Sequence, residues 1–301
     1  MFSNCTLCPR NCGVNRYKTT GYCRADAKLY LARASLHNWE EPSISGKSGS
    51  GTVFFSGCSL GCVYCQNYGI AKMDVKKEIN EERLVNIYFE LERQGANNIN
   101  LVTASHYLPY VISSITSAKN KGLKIPFVYN TGGYESVDSI KKLDGLIDIY
   151  LTDFKYMSPK LAKKYSNAPD YAAHCKIATS EMYRQCGENS FYTYNGQKLM
   201  KKGVIVRHLV LPECTGDSKR ILKYLYNTYG NSIYISIMSQ YTPQHDSLNG
   251  NKFPELTRKI TISEYDNVVN YAIELGIKKA YIQSGDAASD SFIPQFDFSG
   301  V

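Results

Sequence analysis

Three cysteines lie close together in residues 56–67, which read SGCSLGCVYCQN, at Cys58, Cys62 and Cys65. Their spacing is C-x3-C-x2-C, and thiolates this close can hold the irons of a [4Fe–4S] cluster. The run has no fourth cysteine, so one iron would stay open for a small molecule. Zinc instead favours four ligands that come in closely spaced pairs. The spacing therefore predicts a reactive iron–sulfur cluster, with a structural zinc site or incidental cysteines as the alternative.

The same loop resembles the signature loop of radical S-adenosylmethionine (SAM) enzymes, because an aromatic residue, Tyr64, precedes the last cysteine. The resemblance is closest to activating enzymes of the pyruvate formate-lyase type, in a branch with extra N-terminal cysteines. It implies that the open iron binds the amino and carboxylate groups of SAM. It also implies that Tyr64 lies near the adenine and that the three loop cysteines are catalytic.

An ionic pair ends the apolar stretch 147–155, IDIYLTDFK. In a strand, side chains alternate between faces, so Asp153 and Lys155 share one face with Ile147, Ile149 and Leu151. A buried ion pair is a poor source of stability, which favours a functional placement. The resemblance implies that Asp153 and Lys155 contact SAM. The alternative is a salt bridge at the rim of a barrel.

The next predicted strand contains Arg207 and His208 within GVIVRHLVLP, residues 203–212. Neighbouring strand residues face opposite sides. The resemblance places Arg207 in the barrel interior, at the SAM carboxylate, and the planar guanidinium suits that bidentate contact. His208 then faces the helices, where we expect a hydrogen-bonded structural residue.

Two other strand ends supply further candidates for SAM or substrate contact. Many relatives carry Gly-Gly-Glu where this chain has TASH at residues 103–106, so Ser105 is the candidate to replace that glutamate. PFVYNTGG, residues 126–133, resembles a Thr-Asn-Gly turn of the family, which makes Asn130 and Thr131 candidates. A third group follows the sixth strand, near the ribose or the substrate: Gln240, Tyr241 and His245.

Four more cysteines lie near the N-terminus, at Cys5, Cys8, Cys12 and Cys23, with the spacing C-x2-C-x3-C-x10-C. Four thiolates can close a tetrahedral zinc site or hold an auxiliary iron–sulfur cluster. A head this short cannot build its own core, so a metal would stabilise it. Zinc would make the head structural, whereas a cluster would relay electrons or bind a substrate. Four unligated thiols are the remaining alternative.

Composition sets the class of protein. The chain has 301 residues, 43% of them hydrophobic, and a formal net charge of +8. Its basic residues are scattered and bound metal would offset part of the charge, so the charge does not indicate nucleic-acid binding. Ten cysteines without a signal-peptide pattern indicate metal binding in a reducing compartment. No apolar run is long enough to span a membrane, so we expect a cytoplasmic protein.

Short apolar runs alternate with amphipathic ones from residue 52 onward, which predicts βαβ units and a parallel sheet. Strands are predicted at 52–56, 98–103, 126–130, 147–155, 204–211, 233–238 and 280–284. Helices are predicted at 81–94, 107–121, 137–142, 159–165, 171–186, 218–229 and 263–275. The pattern fits an α/β fold, a partial (β/α)6-type TIM barrel, which is also the family's fold, with a flat doubly wound sheet as the alternative. We expect residues 1–51 to form a cysteine-rich head ending in a Gly/Ser-rich loop, 43–51, and residues 52–301 to form the barrel.

The activity implied by the resemblance is reductive cleavage of SAM at the cluster, giving a 5′-deoxyadenosyl radical. That radical would take hydrogen from a glycine of a partner glycyl-radical enzyme, and a flavodoxin- or ferredoxin-type protein would donate the electron. One alternative is a radical SAM enzyme that modifies another peptide, a metabolite or RNA. The other is a non-enzymatic iron–sulfur or zinc protein that senses redox state or scaffolds partners. Asp153, Lys155 and Arg207 argue against the sensor, which needs no SAM site.

Overall fold

The strands assemble into one large sheet. A computed structural model describes residues 1–283 and 294–301. The strands are β1 Leu29–His37, β2 Ser50–Phe55, β3 Lys77–Ile79, β4 Ile99–Val102, β5 Phe127–Thr131, β6 Ile149–Asp153, β7 Ser190–Tyr194, β8 Gln197–Leu209, β9 Tyr234–Met238 and β10 Ala280–Ile282. Each predicted strand matches one of these to within a few residues, with one exception. The strand predicted at 204–211 corresponds to β8, which begins earlier, at Gln197. The predicted end of the last strand, Ser284, lies outside the described residues.

The helices follow the strands along the chain. They are α1 Pro42–Ser45, α2 Tyr68–Ala71, α3 Glu81–Arg93, α4 Leu108–Asn120, α5 Val137–Lys141, α6 Pro159–Ser166, α7 Tyr171–Cys186, α8 Thr215–Tyr229 and α9 Ile262–Glu274. Asn80 caps α3 as its side chain accepts a hydrogen bond from the Arg83 amide. Among the described helices, none is long and apolar enough to cross a membrane.

The strand order confirms a partial barrel. From one edge the order is β10-β9-β8-β6-β5-β4-β2-β1-β3, with β7 added to β8. Neighbours from β2 to β10 run parallel, whereas β1 is antiparallel to both β2 and β3. A doubly wound sheet would reverse its order at a switch point. Here each parallel strand is added on the same side of the previous one, which gives a barrel wall.

A small apolar cluster fills the interior of this wall. Ile44 of α1 packs there with Val128, Ile149, Leu151 and Ile205 from β5, β6 and β8. The Asn98 side chain, beside the start of β4, donates a 2.8 Å hydrogen bond to the Ile44 carbonyl. Helix α1 therefore closes the amino-terminal end of the strands, and the polar ends of the same strands remain at the opposite end.

Two features of the stretch assigned to the head differ from the expectation. Strand β1 pairs with β2 from Leu31–Phe55 to His37–Ser50, so the barrel sheet already includes residues 29–37. The predicted loop 43–51 instead holds most of α1 and the start of β2. Packing inside the barrel explains α1, because its four residues have little helical stability alone.

The N-terminal head packs onto the barrel. Arg16 is completely buried, and its guanidinium donates to the carbonyls of Ala25, Asp26 and His106. The Ser139 hydroxyl donates a 2.7 Å hydrogen bond to the Leu7 carbonyl. Hydrogen bonds to His106 and from Ser139 therefore join the head to the barrel.

Candidate active site

One cavity of about 230 Å³ lies at the carboxyl ends of the parallel strands, where barrels of this kind place their active sites. Many of the residues singled out in the sequence line it: Cys62, Tyr64, Cys65, Asn130, Asp153, Lys155, Arg207 and Gln240. Cys58, the other loop cysteine, does not line this cavity. The fold thus brings together residues that are up to 178 positions apart in the chain, counted from Cys62 to Gln240.

An ionic network forms one wall of the cavity. The Asp153 carboxylate lies 2.6 Å from the Lys155 ammonium and 2.9 Å from Arg207 Nε. Burial alone would raise the pKa of Asp153, but the two cations outweigh it and hold that pKa below its ordinary value. Burial likewise opposes the charge of Lys155, yet Asp153 raises the pKa of that ammonium. All three groups are therefore charged at neutral pH.

Arg207 is held from three sides. Its guanidinium donates to Asp153, to Asn130 Oδ1 at 2.7 Å, and to a carboxylate that the sequence analysis did not single out, Glu40, at 3.2 Å. A guanidinium has five N–H donors. Three are used here, so two remain for a ligand in the cavity.

Glu40 and Glu41 are the principal residues that the sequence analysis missed. Glu40 accepts hydrogen bonds from Asn100 at 3.1 Å and Asn130 at 3.2 Å, in addition to its bond with Arg207. Burial raises the pKa of Glu40 despite the Arg207 charge, and burial raises the pKa of Glu41 to about 7. The available signal is two adjacent acidic residues beside the only tryptophan of the sequence, Trp39, just before the predicted Gly/Ser-rich loop 43–51.

The cysteines of the cluster loop, residues 56–67, lie close enough together to shift one another's pKa values. Burial raises the pKa of Cys62 and of Cys65, and neighbouring thiolates of the loop raise both further, whereas Lys155 lowers them. Cys62 Sγ accepts a 2.9 Å hydrogen bond from the Ser166 hydroxyl at the end of α6. Cys58 Sγ is 3.4 Å from the Leu60 amide. The sulfur atoms are thus positioned by hydrogen bonds from the protein.

Tyr64 has a fixed orientation beside the cavity. Its ring meets Tyr156, Tyr165 and Tyr241 edge to face, with centroids 6.1–6.5 Å apart. Its hydroxyl shares a hydrogen bond with Tyr156, whose hydroxyl is 2.7 Å from Ser166 Oγ. Aromatic packing and hydrogen bonding together hold Tyr64 rigidly where it lines the cavity.

Ser105 is placed differently from the prediction. It begins a 3-10 turn, Ser105–Tyr107, and its buried hydroxyl donates to Glu135 away from the cavity. Thr131 also donates to Glu135. Both hydroxyls are therefore used inside the protein, because the buried Glu135 carboxyl needs donors. Neither residue lines the cavity.

Of the remaining candidates, Gln240 lines the cavity, whereas Tyr241 and His245 do not. Tyr241 is buried and donates to the Leu256 carbonyl, and the ring of His245 stacks on Tyr68 with centroids 4.2 Å apart. His208 bonds Phe154 O at 2.7 Å and Ser218 Oγ at 2.8 Å. The structural role expected for His208 is confirmed.

Comparison with known proteins identifies the domain. Residues 52–196 match the sequence model of the Radical SAM superfamily. This part of the chain belongs to the radical SAM superfamily. Over 292 residues the chain is 27% identical to the uncharacterized protein MJ0674 of Methanocaldococcus jannaschii. This alignment covers 93% of this chain and 78% of the relative. The membership implies a [4Fe–4S] cluster and SAM as cofactors.

Solved structures of low sequence identity share the fold of the radical SAM domain. The FeFe-hydrogenase maturase HydG of Carboxydothermus hydrogenoformans has a TM-score of 0.52 and 14% identity, covering 78% of this chain and 54% of HydG. SuiB of Streptococcus suis, bound to SAM, has a TM-score of 0.51 and 11% identity, covering 81% of this chain and 51% of SuiB. The chain thus spans about half the length of these proteins.

The residues that line the cavity fit the chemistry of both cofactors. Cys62 and Cys65 open onto the same cavity as Asp153 and Arg207, so thiol ligands and charged groups for an amino acid moiety are neighbours. In residues 1–283 and 294–301, no three Cys, His, Asp or Glu side chains form a site for a single metal ion. A cluster differs from a single ion because each of its cysteines binds a different iron.

Two of the four head cysteines, Cys12 and Cys23, direct their sulfur atoms toward the same place. A Cβ on Gly21 would lie 3.3 Å from Cys12 Sγ and 3.5 Å from Cys23 Sγ, so both sulfurs approach the same point. Burial raises the pKa of Cys23, and the Cys5 and Cys12 thiolates raise it further. Cys8 is buried similarly, and its pKa rises to about 12. Zinc and an auxiliary cluster at these four cysteines both stay predictions.

A second, larger cavity of about 670 Å³ adjoins the first. It lies between β10 and the chain around α1. The two cavities share five wall residues: Trp39, Glu40, Arg207, Met238 and Gln240. Among the described residues, the charged network therefore borders two cavities, and the second of them lies beside β10.

Proposed function

We propose that this radical SAM enzyme cleaves SAM reductively and takes a hydrogen atom from a glycine of a partner glycyl-radical enzyme. Cys58, Cys62 and Cys65 would hold the cluster, and the cavity beside Cys62 and Cys65 would hold SAM. The observation that carries the proposal is this common cavity, which joins two cluster cysteines to Tyr64, Asp153, Lys155 and Arg207.

Each side chain has a defined task in this proposal. A reduced cluster held by Cys58, Cys62 and Cys65 would supply the one electron for cleavage of SAM into methionine and the 5′-deoxyadenosyl radical. Arg207 offers its two remaining N–H donors to the SAM carboxylate, and the Asp153 carboxylate is an acceptor for the SAM ammonium. Lys155 stays charged beside Asp153 and keeps that carboxylate ionised. Tyr64 packs at the edge of the site and limits the access of water.

The choice of a glycine as substrate rests on the Asp153-x-Lys155 pair, which resembles the pair of the pyruvate formate-lyase type of activating enzymes. The second cavity supports it because a segment of another protein needs a wide approach to the SAM site. A flavodoxin- or ferredoxin-type protein is the proposed electron donor.

Anaerobic reconstitution followed by reduction with dithionite in the presence of SAM tests the radical chemistry. We expect about four irons at the loop cysteines and 5′-deoxyadenosine as a product. Cys58→Ala should lose both, and Asp153→Asn should keep the irons and lose most of the product. The proposal is wrong if no 5′-deoxyadenosine forms and Cys58→Ala changes nothing.

Isotope transfer tests the substrate. A candidate glycyl-radical enzyme, labelled with deuterated glycine, is added to the reduced enzyme with SAM. If its glycine loses the hydrogen atom, mass spectrometry detects deuterium in the 5′-deoxyadenosine. Product without deuterium would contradict this glycine as the hydrogen donor.

A further inference from the structure

Arg10 connects the cysteine-bearing head to the cluster loop. The residue lies between Cys8 and Cys12. Its Nε donates a 2.8 Å hydrogen bond to the Ser59 carbonyl, and Nη2 lies 3.3 Å from the Leu60 carbonyl. Ser59 and Leu60 stand between the first two cysteines of the loop. One side chain of the head therefore holds the backbone of the loop at two consecutive residues.

The same guanidinium caps the end of α6. Nη2 donates to the Ser166 carbonyl at 3.0 Å, and Nη1 donates to the Asn167 carbonyl at 2.5 Å. The carboxyl end of a helix has unpaired carbonyls and partial negative charge, so an arginine is stabilising there. The rings of Tyr22 and Tyr134 lie 3.9 Å and 5.1 Å from the guanidinium carbon. Arg10 is thus fixed in position by hydrogen bonds and by aromatic contacts.

Ser166 links this cap to a cluster ligand. Its carbonyl accepts from Arg10, and its hydroxyl donates to Cys62 Sγ at 2.9 Å. The neighbouring Tyr165 carbonyl accepts a 2.9 Å hydrogen bond from the Val63 amide, so the loop also pairs with α6 through its backbone. The position of the hydroxyl relative to Cys62 therefore depends on how α6 and the loop are held together.

We propose that Arg10 is a positioning residue that clamps the cluster loop to the end of α6 and so keeps the Ser166 hydroxyl on Cys62. The inference rests on the proposed function, because it takes Cys62 to be a cluster ligand. It assigns the head a role whichever metal its cysteines bind: the head orders the loop that receives the cluster.

The clamp has two measurable consequences. Without the cluster, it limits opening of the loop, because the fork of Arg10 holds four backbone carbonyls. With the cluster, hydrogen bonds to ligand sulfur influence the reduction potential. A hydrogen bond to Cys62 favours the reduced cluster, which carries the greater negative charge, so losing the bond lowers the potential.

Hydrogen exchange of the full chain without cluster tests the clamp directly. We expect Arg10→Ala to raise the exchange rates of the amides of residues 57–66 at least tenfold, and Arg10→Lys to raise them too, because an ammonium lacks the planar fork. Ser139→Ala is the matched control, since Ser139 also connects the head to the barrel but contacts Leu7, away from the loop. Unchanged exchange in Arg10→Ala, or an equal rise in Ser139→Ala, would overturn the proposal.

A redox titration of the reconstituted protein, followed by EPR spectroscopy, tests the link to Cys62. Ser166→Ala and Arg10→Lys should each lower the equilibrium constant for cluster reduction about tenfold, or 59 mV for one electron. The double variant should shift no further, because both changes remove the same hydrogen bond. Independent, additive shifts would contradict the link. Hydrogen exchange needs no cluster, so a failure of the proposed function remains distinguishable from a failure of the clamp.

Discussion

Five ionisable side chains meet inside the barrel, and their charges influence one another: Glu40, Glu41, Asp153, Lys155 and Arg207. Asp153 stays ionised because Arg207 and Lys155 are within 3 Å of it. Glu41 lacks such close compensation, and one of its buried carboxyl oxygens has no hydrogen-bond partner among the described residues. Burial consequently raises its pKa to about 7, while Arg207 acts in the opposite direction. Glu41 is therefore a group of this network that titrates near neutral pH.

Glu41→Gln should alter the pH dependence of stability. The folded-state pKa of Glu41 lies above its ordinary value of 4.5, so the folded protein binds more protons in this range. The contribution of Glu41 to the free energy of unfolding should thus fall by up to about 3 kcal/mol as the pH rises from about 4.5 to about 7. Glu40, Asp153 and Arg207 face the same group and are unchanged in the variant.

Urea denaturation at pH 5 and pH 8 measures this effect. Because glutamine cannot ionise, the variant should gain stability relative to the wild type at pH 8 compared with pH 5. Glu78→Gln is the control, since its carboxylate is half exposed and pairs with Lys28 at the surface. Parallel pH profiles for wild type and Glu41→Gln would show that Glu41 does not titrate in the folded protein.

At the scale of elements, the cluster loop depends on two glycines for different reasons. Gly57 and Gly61 both have positive φ, +96° and +69°, a region that side chains disfavour. A Cβ at Gly57 would also lie 2.8 Å from the Cys23 carbonyl oxygen and 2.9 Å from His106 Nε2, whereas a Cβ at Gly61 would meet open space. The loop is thus packed closely against the head at Gly57, whereas Gly61 has space beside it.

Gly57→Ala and Gly61→Ala form a matched pair that separates backbone strain from crowding. Both should lose about 1 kcal/mol of stability from the left-handed backbone. Gly57→Ala should lose more, because the carbonyl of Cys23 and the ring of His106 must move. Thermal unfolding and iron content after reconstitution measure the difference. Equal losses of stability in the two variants would mean that Cys23 and His106 can shift to make room for the new methyl group at no cost in free energy.

At the scale of the whole molecule, Glu40 joins distant parts of the barrel wall. It follows β1 and contacts Asn100 of β4, Asn130 of β5 and Arg207 of β8. The segment around α1 thus enters the barrel from the amino ends of the strands and reaches the charged network. Closure of the barrel and order in the candidate active site are consequently coupled.

A double-mutant cycle between Glu40 and Arg207 measures this coupling. Glu40→Gln and Arg207→Gln should each cost about 3 kcal/mol, because each removes one member of a buried ion pair. The double variant should lose less than the sum, since the interaction between Glu40 and Arg207 is lost in both single variants but counts once in the double variant. The surface pair Lys28–Glu78, at 2.8 Å, serves as the control and should show no measurable coupling. Additive losses for Glu40 and Arg207 would contradict the proposed link.

The amino-acid sequence by itself determined the elements whose signals are local. The spacing of Cys58, Cys62 and Cys65 indicated the cluster loop, and alternation along residues 147–155 predicted that Asp153 and Lys155 share a face. Helix α7 was predicted with its observed bounds, Tyr171–Cys186. A further local signal was overlooked: Asn195-Gly196 turns β7 into β8 with φ of +48° and +73°, as expected of a two-residue hairpin turn.

Only the tertiary structure decided what those residues meet. Glu40 and Glu41 form no motif, and their role appears when α1 packs inside the barrel and brings Glu40 to Arg207, 167 residues away. The resemblance makes Ser105 a candidate to replace the Gly-Gly-Glu of relatives, but its hydroxyl donates to a buried carboxyl, Glu135, instead. Arg10 likewise finds its four carbonyls only in the folded chain. Periodicity and spacing record near neighbours along the chain, whereas the partners of a buried charge are set by long-range packing.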